Sequence, residues 1–111
     1  MYRGDIVFIR NYGTIGHEEQ KDRCAVVVSN NVCNRHSGVV EVVYLSTHRF
    51  GKGLPTHVII TSSPKVCVAM CEAVYSVDVS RIVNAAGHCS GMEMERIDRA
   101  LLISLGLIER W

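Results

Sequence analysis

Two short stretches gather the side chains best able to do chemistry. The segment Gly16-His17-Glu18-Glu19-Gln20-Lys21-Asp22-Arg23 packs a histidine, three acids, a lysine and an arginine into eight residues. It runs directly into the β-prone Cys24–Ser29, so its last residue, Arg23, is anchored to rigid scaffold, a good place for function. The second stretch, Ser46-Thr47-His48-Arg49, follows the apolar run Val39–Leu45 and sets two hydroxyls, an imidazole and a guanidinium at a strand end. By composition alone the first also fits a solvated loop and the second a polar hairpin turn.

Several chemistries are missing. There is no phosphate-cradling Gly-Lys-Ser/Thr loop, no HExxH pair, no CxxC pair and no GxSxG nucleophile elbow in the 111 residues. What remains is phosphodiester chemistry that needs no metal. RNA carries its own nucleophile, the 2′-OH. A catalyst must take its proton, protonate the leaving 5′-oxygen and stabilise the extra charge on phosphorus. Arginine suits the last task because its planar donor fork matches phosphate oxygens. Serine, threonine and histidine can position groups or relay protons.

These residues need a scaffold, and the rest of the chain describes one. A length of 111 residues fits a single domain, 1–111, with a modest core. The 48% hydrophobic and 21% charged composition is that of an ordinary soluble globular protein. Net charge is only +1, so any nucleic-acid site must be local and not a whole-surface field. No apolar run approaches the ~20 residues of a membrane-spanning helix, and Met1-Tyr2-Arg3-Gly4-Asp5 carries no secretory pattern. The expected compartment is cytoplasmic.

The five cysteines, Cys24, Cys33, Cys67, Cys71 and Cys89, are odd in number and irregular in spacing. That argues against a disulfide framework. In a strand, Cys67 and Cys71 would lie about 13 Å apart, beyond disulfide reach, so the thiols read as buried and reduced. Neither a metal nor a cofactor is expected.

Four to six short β-prone runs come first and one helix comes last. Strands are expected at Asp5–Arg10, Cys24–Ser29, Val39–Leu45 and His57–Thr61, with one or two more between Val66 and Val77. Asn30-Asn31 reads as a turn. Short strands with polar turns predict a small barrel or sandwich. Near the C-terminus, Ser90-Gly-Met-Glu93 is a capping-box pattern. Met94, Ile97, Leu101 and Leu105 then fall at helical spacing, with Gly106 as the stop.

Taken in order, the residues resemble the MazF/PemK family of toxins, closest to its Firmicute-type members. Arg3-Gly4-Asp5-Ile-Val-Phe looks like the family's opening. Gly16–Arg23 is similar to its G-[SH]-E-Q-x-x-x-R-P motif. Asn34-Arg35, Leu54-Pro-Thr-His-Val58 and Ile97–Ile108 match further stretches. The resemblance covers nearly the whole chain. It implies a mainly β (α+β) fold, an SH3-like barrel (CcdB/MazF-like) with a C-terminal helix, acting as a homodimer. It also implies cleavage of single-stranded RNA at short motifs to 2′,3′-cyclic phosphate and 5′-OH ends, and neutralisation by a cognate MazE-like antitoxin.

By position, the resemblance makes Arg23 the catalytic arginine, Ser46 the counterpart of the catalytic threonine and Thr47 the hydroxyl residue beside it. Glu18, His17 and Glu72 fall at acidic and histidine positions that assist catalysis. Lys21, His48, Arg49, Lys52 and Tyr75 are the expected RNA-binding residues. Three departures stand out: Cys24 replaces the usual proline, Ser46 the threonine, and Glu72-Ala73-Val74-Tyr75-Ser76 has lost the family's amide and basic residue. The last predicts altered specificity or weaker RNA binding, partly offset by Tyr75 stacking on a base. A related barrel that binds without cutting, such as a CcdB-like gyrase poison or a degenerate RNA-binding relative, is the competing reading. An SH3-like module for proline-rich segments is a third, with only seven scattered aromatics to support it.

Overall fold

The computed structural model describes residues 1–10, 23–51 and 53–109. Seven strands and two helices follow in the order β1 (Asp5–Ile9), β2 (Arg23–Val27), α1 (Asn31–His36), β3 (Val39–Ser46), β4 (His57–Ile60), β5 (Cys67–Met70), β6 (Tyr75–Asp78), β7 (Ile82–His88) and α2 (Gly91–Ser104). Every pairing is antiparallel. The sheet runs β4-β5-β3-β2-β1-β7, with β6 added on β3.

The eight-residue β3 organises this arrangement. One edge carries β2. The other is shared: its first half pairs with β6, and its last two residues, Leu45 and Ser46, pair with β5. A strand that feeds two neighbours along one edge must coil, which bends the sheet toward a barrel. The two ends of the path come close, with no strand ladder between them among the described residues. A Cβ on Gly87, in β7, would lie 3.1 Å from the Ser62 carbonyl beyond β4, and Gly87 has φ +150. Only glycine permits that approach.

Alternation along the strands sorts the apolar residues into two groups. Ile6, Val26, Val43, Leu45, Val58, Ile60, Cys67, Cys71 and Cys89 pack with Ile97 and Ala100 of α2. Val7, Ile9, Ala25, Val27, Val40, Val42, Tyr44 and Val77 form a second cluster on the opposite side of the same strands. All five cysteines are free thiols. Cys67, Cys71 and Cys89 are buried, and burial pushes the Cys71 and Cys89 thiols up to about 12. Cys33 is exposed and Cys24 half-buried, so the expectation of buried thiols holds for three of the five.

The C-terminal helix starts at its capping box. Ser90 Oγ accepts from the Glu93 backbone N–H at 3.1 Å, and Glu93 Oε1 accepts from the Ser90 N–H at 2.8 Å. Glu93 also fastens the helix to the end of β4. It accepts from Thr61 N at 2.7 Å, Ser62 Oγ at 2.6 Å and Ser62 N at 3.3 Å. Burial alone would raise its pKa, but these donors outweigh it and hold the carboxyl down at about 2. Arg3 makes a second tie, donating to the Val28 carbonyl and, at 2.6 Å, to Asp98 on α2.

The structure corrects the sequence reading in three places. Asn30-Asn31 is not merely a turn. Asn30 caps α1, its side chain accepting from Cys33 N at 2.8 Å. Ile82–His88 forms a strand that was not expected. Leu105, expected on the buried helical stripe, is 63% exposed, and the inward position is taken by Ala100. No helix among the described residues is long and apolar enough to cross a membrane.

Candidate active site

Strand register brings Arg23, the last residue of the first predicted stretch, beside Ser46, the first residue of the second. β2 and β3 pair as Ala25↔Tyr44 and Val26↔Val43. Continued by two residues, that register sets Arg23, which opens β2, across from Ser46, which ends β3. The Arg23 guanidinium donates to the Leu45 carbonyl at 3.4 Å and lies 4.7 Å from the centroid of the Tyr44 ring. Tyr44 and Ser46 share one face of β3 because they are two residues apart. The aromatic face orients the guanidinium by a cation–π contact, and among the described residues its donor fork meets only the Leu45 carbonyl.

A cleft of about 680 Å³ opens at this end of the sheet. Arg23, Ser46, Thr47, His48 and Arg49 line it, as expected of the two motifs. Phe8, Leu45 and Met70 supply apolar surface, and Ser63, Pro64 and Lys65 form a further wall. Ser46 Oγ accepts from His48 N–H at 3.1 Å. Its own hydroxyl hydrogen has no acceptor among the described residues, so it can donate into the cleft. No Asp or Glu appears among the described lining residues, whereas Arg23, Arg49 and Lys65 are all cationic. The described lining therefore suits an anion. No His, Cys, Asp and Glu grouping suited to a metal occurs among the described residues.

His17, Glu18, Lys21 and Lys52 fall outside the described residues. Glu72 is not brought to the cleft lining. Its carboxylate accepts from Thr56 Oγ1 at 3.1 Å and lies 3.0 Å from His57 Nε2. Burial would raise its pKa, but the His57 hydrogen bond and the other donors lower it on balance. Tyr75 stands beside the site, not in it. Paired with Val42 across β6 and β3, it is 49% exposed, and its ring is tilted against Tyr44 at 5.1 Å. Arg23, Tyr44 and Tyr75 thus form one continuous stack leading out of the cleft.

Sequence reasoning missed Tyr44 and the Ser63–Lys65 wall. The position of Tyr44, two residues before Ser46 on a strand, was a usable signal. The Ser63–Lys65 wall had none, because only the pairing of β5 with the end of β3 brings it here.

Comparison with known proteins places the chain and its fold. Residues 2–105 match the family described as PemK-like, MazF-like toxin of type II toxin-antitoxin system. The endoribonuclease EndoA of Bacillus subtilis (strain 168) is 30% identical over 111 aligned residues, covering 96% of each chain. The endoribonuclease MazF of Staphylococcus saprophyticus is 31% identical, covering 96% of this chain and 92% of its own. An endoribonuclease from a mycobacterial species, solved in complex with its cognate antitoxin, superposes with a TM-score of 0.83 at 25% identity over 99% of both chains.

Proposed function

The chain belongs to the PemK-like, MazF-like toxin family of type II toxin–antitoxin systems, and on that premise we propose that its cleft cuts single-stranded RNA by transesterification. It is an endoribonuclease, as its relatives are named. The observation that carries the residue assignment is the meeting of Arg23 with Ser46 and Thr47 in a cleft whose described lining bears cations and no carboxylate.

In the proposed reaction the RNA 2′-oxygen gives up its proton and attacks the adjacent phosphorus. The bond from phosphorus to the 5′-oxygen breaks, and that oxygen leaves with a proton. The products are a 2′,3′-cyclic phosphate and a 5′-OH, with no water and no metal consumed. Arg23 donates to the non-bridging oxygens, where charge grows in the transition state. Ser46 and Thr47 add hydroxyl donors to the same phosphate. His48 and Arg49 bind the strand at the cleft, and Lys21 and Lys52 add positive charge for it. Tyr75 stacks a base outside it. The proton acceptor comes from the segment before Arg23, with Glu18 and His17 as its candidates. Glu72, bound to His57, is left to hold the start of β4.

In this reading the active unit is a homodimer, and an acidic, MazE-like antitoxin covers the cationic cleft. The enzyme works in the cytoplasm, where its RNA is. Substituting Arg23→Ala tests the assignment. Loss of one preorganised donor lowers kcat by about 10²- to 10³-fold, measured on a fluorogenic single-stranded RNA. An Arg23→Ala enzyme with wild-type kcat would remove Arg23 from the site.

A further inference from the structure

The β4–β5 connection is a wall of the cleft to which no sequence motif points. Its shape is fixed. Ser63 Oγ donates to the Lys65 carbonyl and lies 3.1 Å from Cys67 Sγ. Pro64 between them sets one backbone torsion. Cys67 is buried in the core, so the turn is fastened at its far end. The Lys65 backbone is therefore held in place while its side chain is exposed. No carboxylate among the described residues pairs with its ammonium.

Chemistry narrows what Lys65 can meet. Arg23 and Arg49 stand on the β2 and β3 side of the cleft, and Lys65 stands on the β5 side. Phe8, Pro64 and Met70 provide apolar surface in the same cleft. Arg23 opens β2 and Lys65 belongs to the β4–β5 turn, so the two cations reach the cleft from different walls. A strand with a charge at every nucleotide, and flat apolar groups between charges, fits both cations and the surface between them.

We infer that Lys65 is a substrate-binding residue, taking the phosphate next to the one held at Arg23, and that Ser63 positions it by closing the turn. This rests on the reading of the cleft as an RNA site. Its test separates the two. The probe is a fluorescein-labelled, mixed-sequence DNA 20-mer, which lacks the 2′-OH and cannot be cut by transesterification. Its binding is followed by anisotropy across a salt series.

Each phosphate neutralised on a single strand contributes about −0.7 to the slope of log K against log salt. Lys65→Ala should flatten the slope by about 0.7, and Lys65→Arg should restore it. Arg99→Ala removes the same charge from α2, away from the cleft, and should leave the slope unchanged. A Lys65→Ala slope equal to wild type, or an equal loss in Arg99→Ala, overturns the inference while the cleft reading stands. Binding by wild type too weak to measure overturns both. An unchanged thermal midpoint in Lys65→Ala confirms that the change is one of binding and not of folding.

Discussion

At the scale of residues, position 23 calls for an arginine. Lysine would keep the charge, but it is a point charge on a flexible stem without the planar fork. It would also lose the flat contact with Tyr44. Arg23→Lys should therefore fall close to Arg23→Ala in kcat and well below wild type. Tyr75 belongs to the same stack but lies outside the cleft, so its removal should act on binding. Base–aromatic stacking is worth about 1–3 kcal/mol. Tyr75→Ala should raise the Kd for single-stranded oligonucleotide by roughly 5- to 150-fold, whereas Tyr75→Phe should stay near wild type. Equal affinities for Tyr75→Ala and wild type in a titration would take Tyr75 off the RNA path.

At the scale of elements, Glu93 joins α2 to β4 and sets a pH dependence. Its carboxyl ionises at about 2 in the fold, against an ordinary value of 4.5. A depressed carboxyl stabilises the fold fully above the unfolded value and loses that contribution as pH falls through 4.5 toward 2. The shift corresponds to about 3 kcal/mol. Glu93→Gln should lose stability of that order at pH 7 in urea unfolding, and the gap from wild type should close as the pH is taken toward 2. A constant gap down to pH 2 would mean that Glu93 acts through packing alone.

The capping box that places this residue was legible in the sequence because both partners lie within four residues. The strands β1 to β4 were legible for a similar local reason, their continuous Val and Ile content. α1 was not, since six residues are too few to show a period. Nor was β7, whose Ile-Val-Asn-Ala-Ala-Gly-His has little β character and becomes a strand through its pairing with the distant β1. In the candidate site the limit was the same. Arg23 and Ser46 could be picked out by type and position. That Lys65 faces them depends on the contact between β3 and β5.

At the scale of the whole molecule, a net charge of +1 coexists with a cleft whose described lining has three basic side chains and no acid. With so little net charge there is no whole-surface field for a polyanion, so in the proposed reading the attraction is concentrated at the cleft. An antitoxin that inhibits it need only cover that place. The coiled sheet explains the concentration. β2 begins, β3 ends and the β4–β5 turn closes at the same end of the fold, so elements distant in sequence deliver their polar termini to one opening.

The most direct test is to incubate the purified protein with long single-stranded RNA in EDTA and determine the chemistry of the new ends. Transesterification at this cleft should give discrete fragments carrying 5′-OH and 2′,3′-cyclic phosphate. Intact RNA at high enzyme concentration, or fragments with 5′-phosphate and 3′-OH ends, would contradict it.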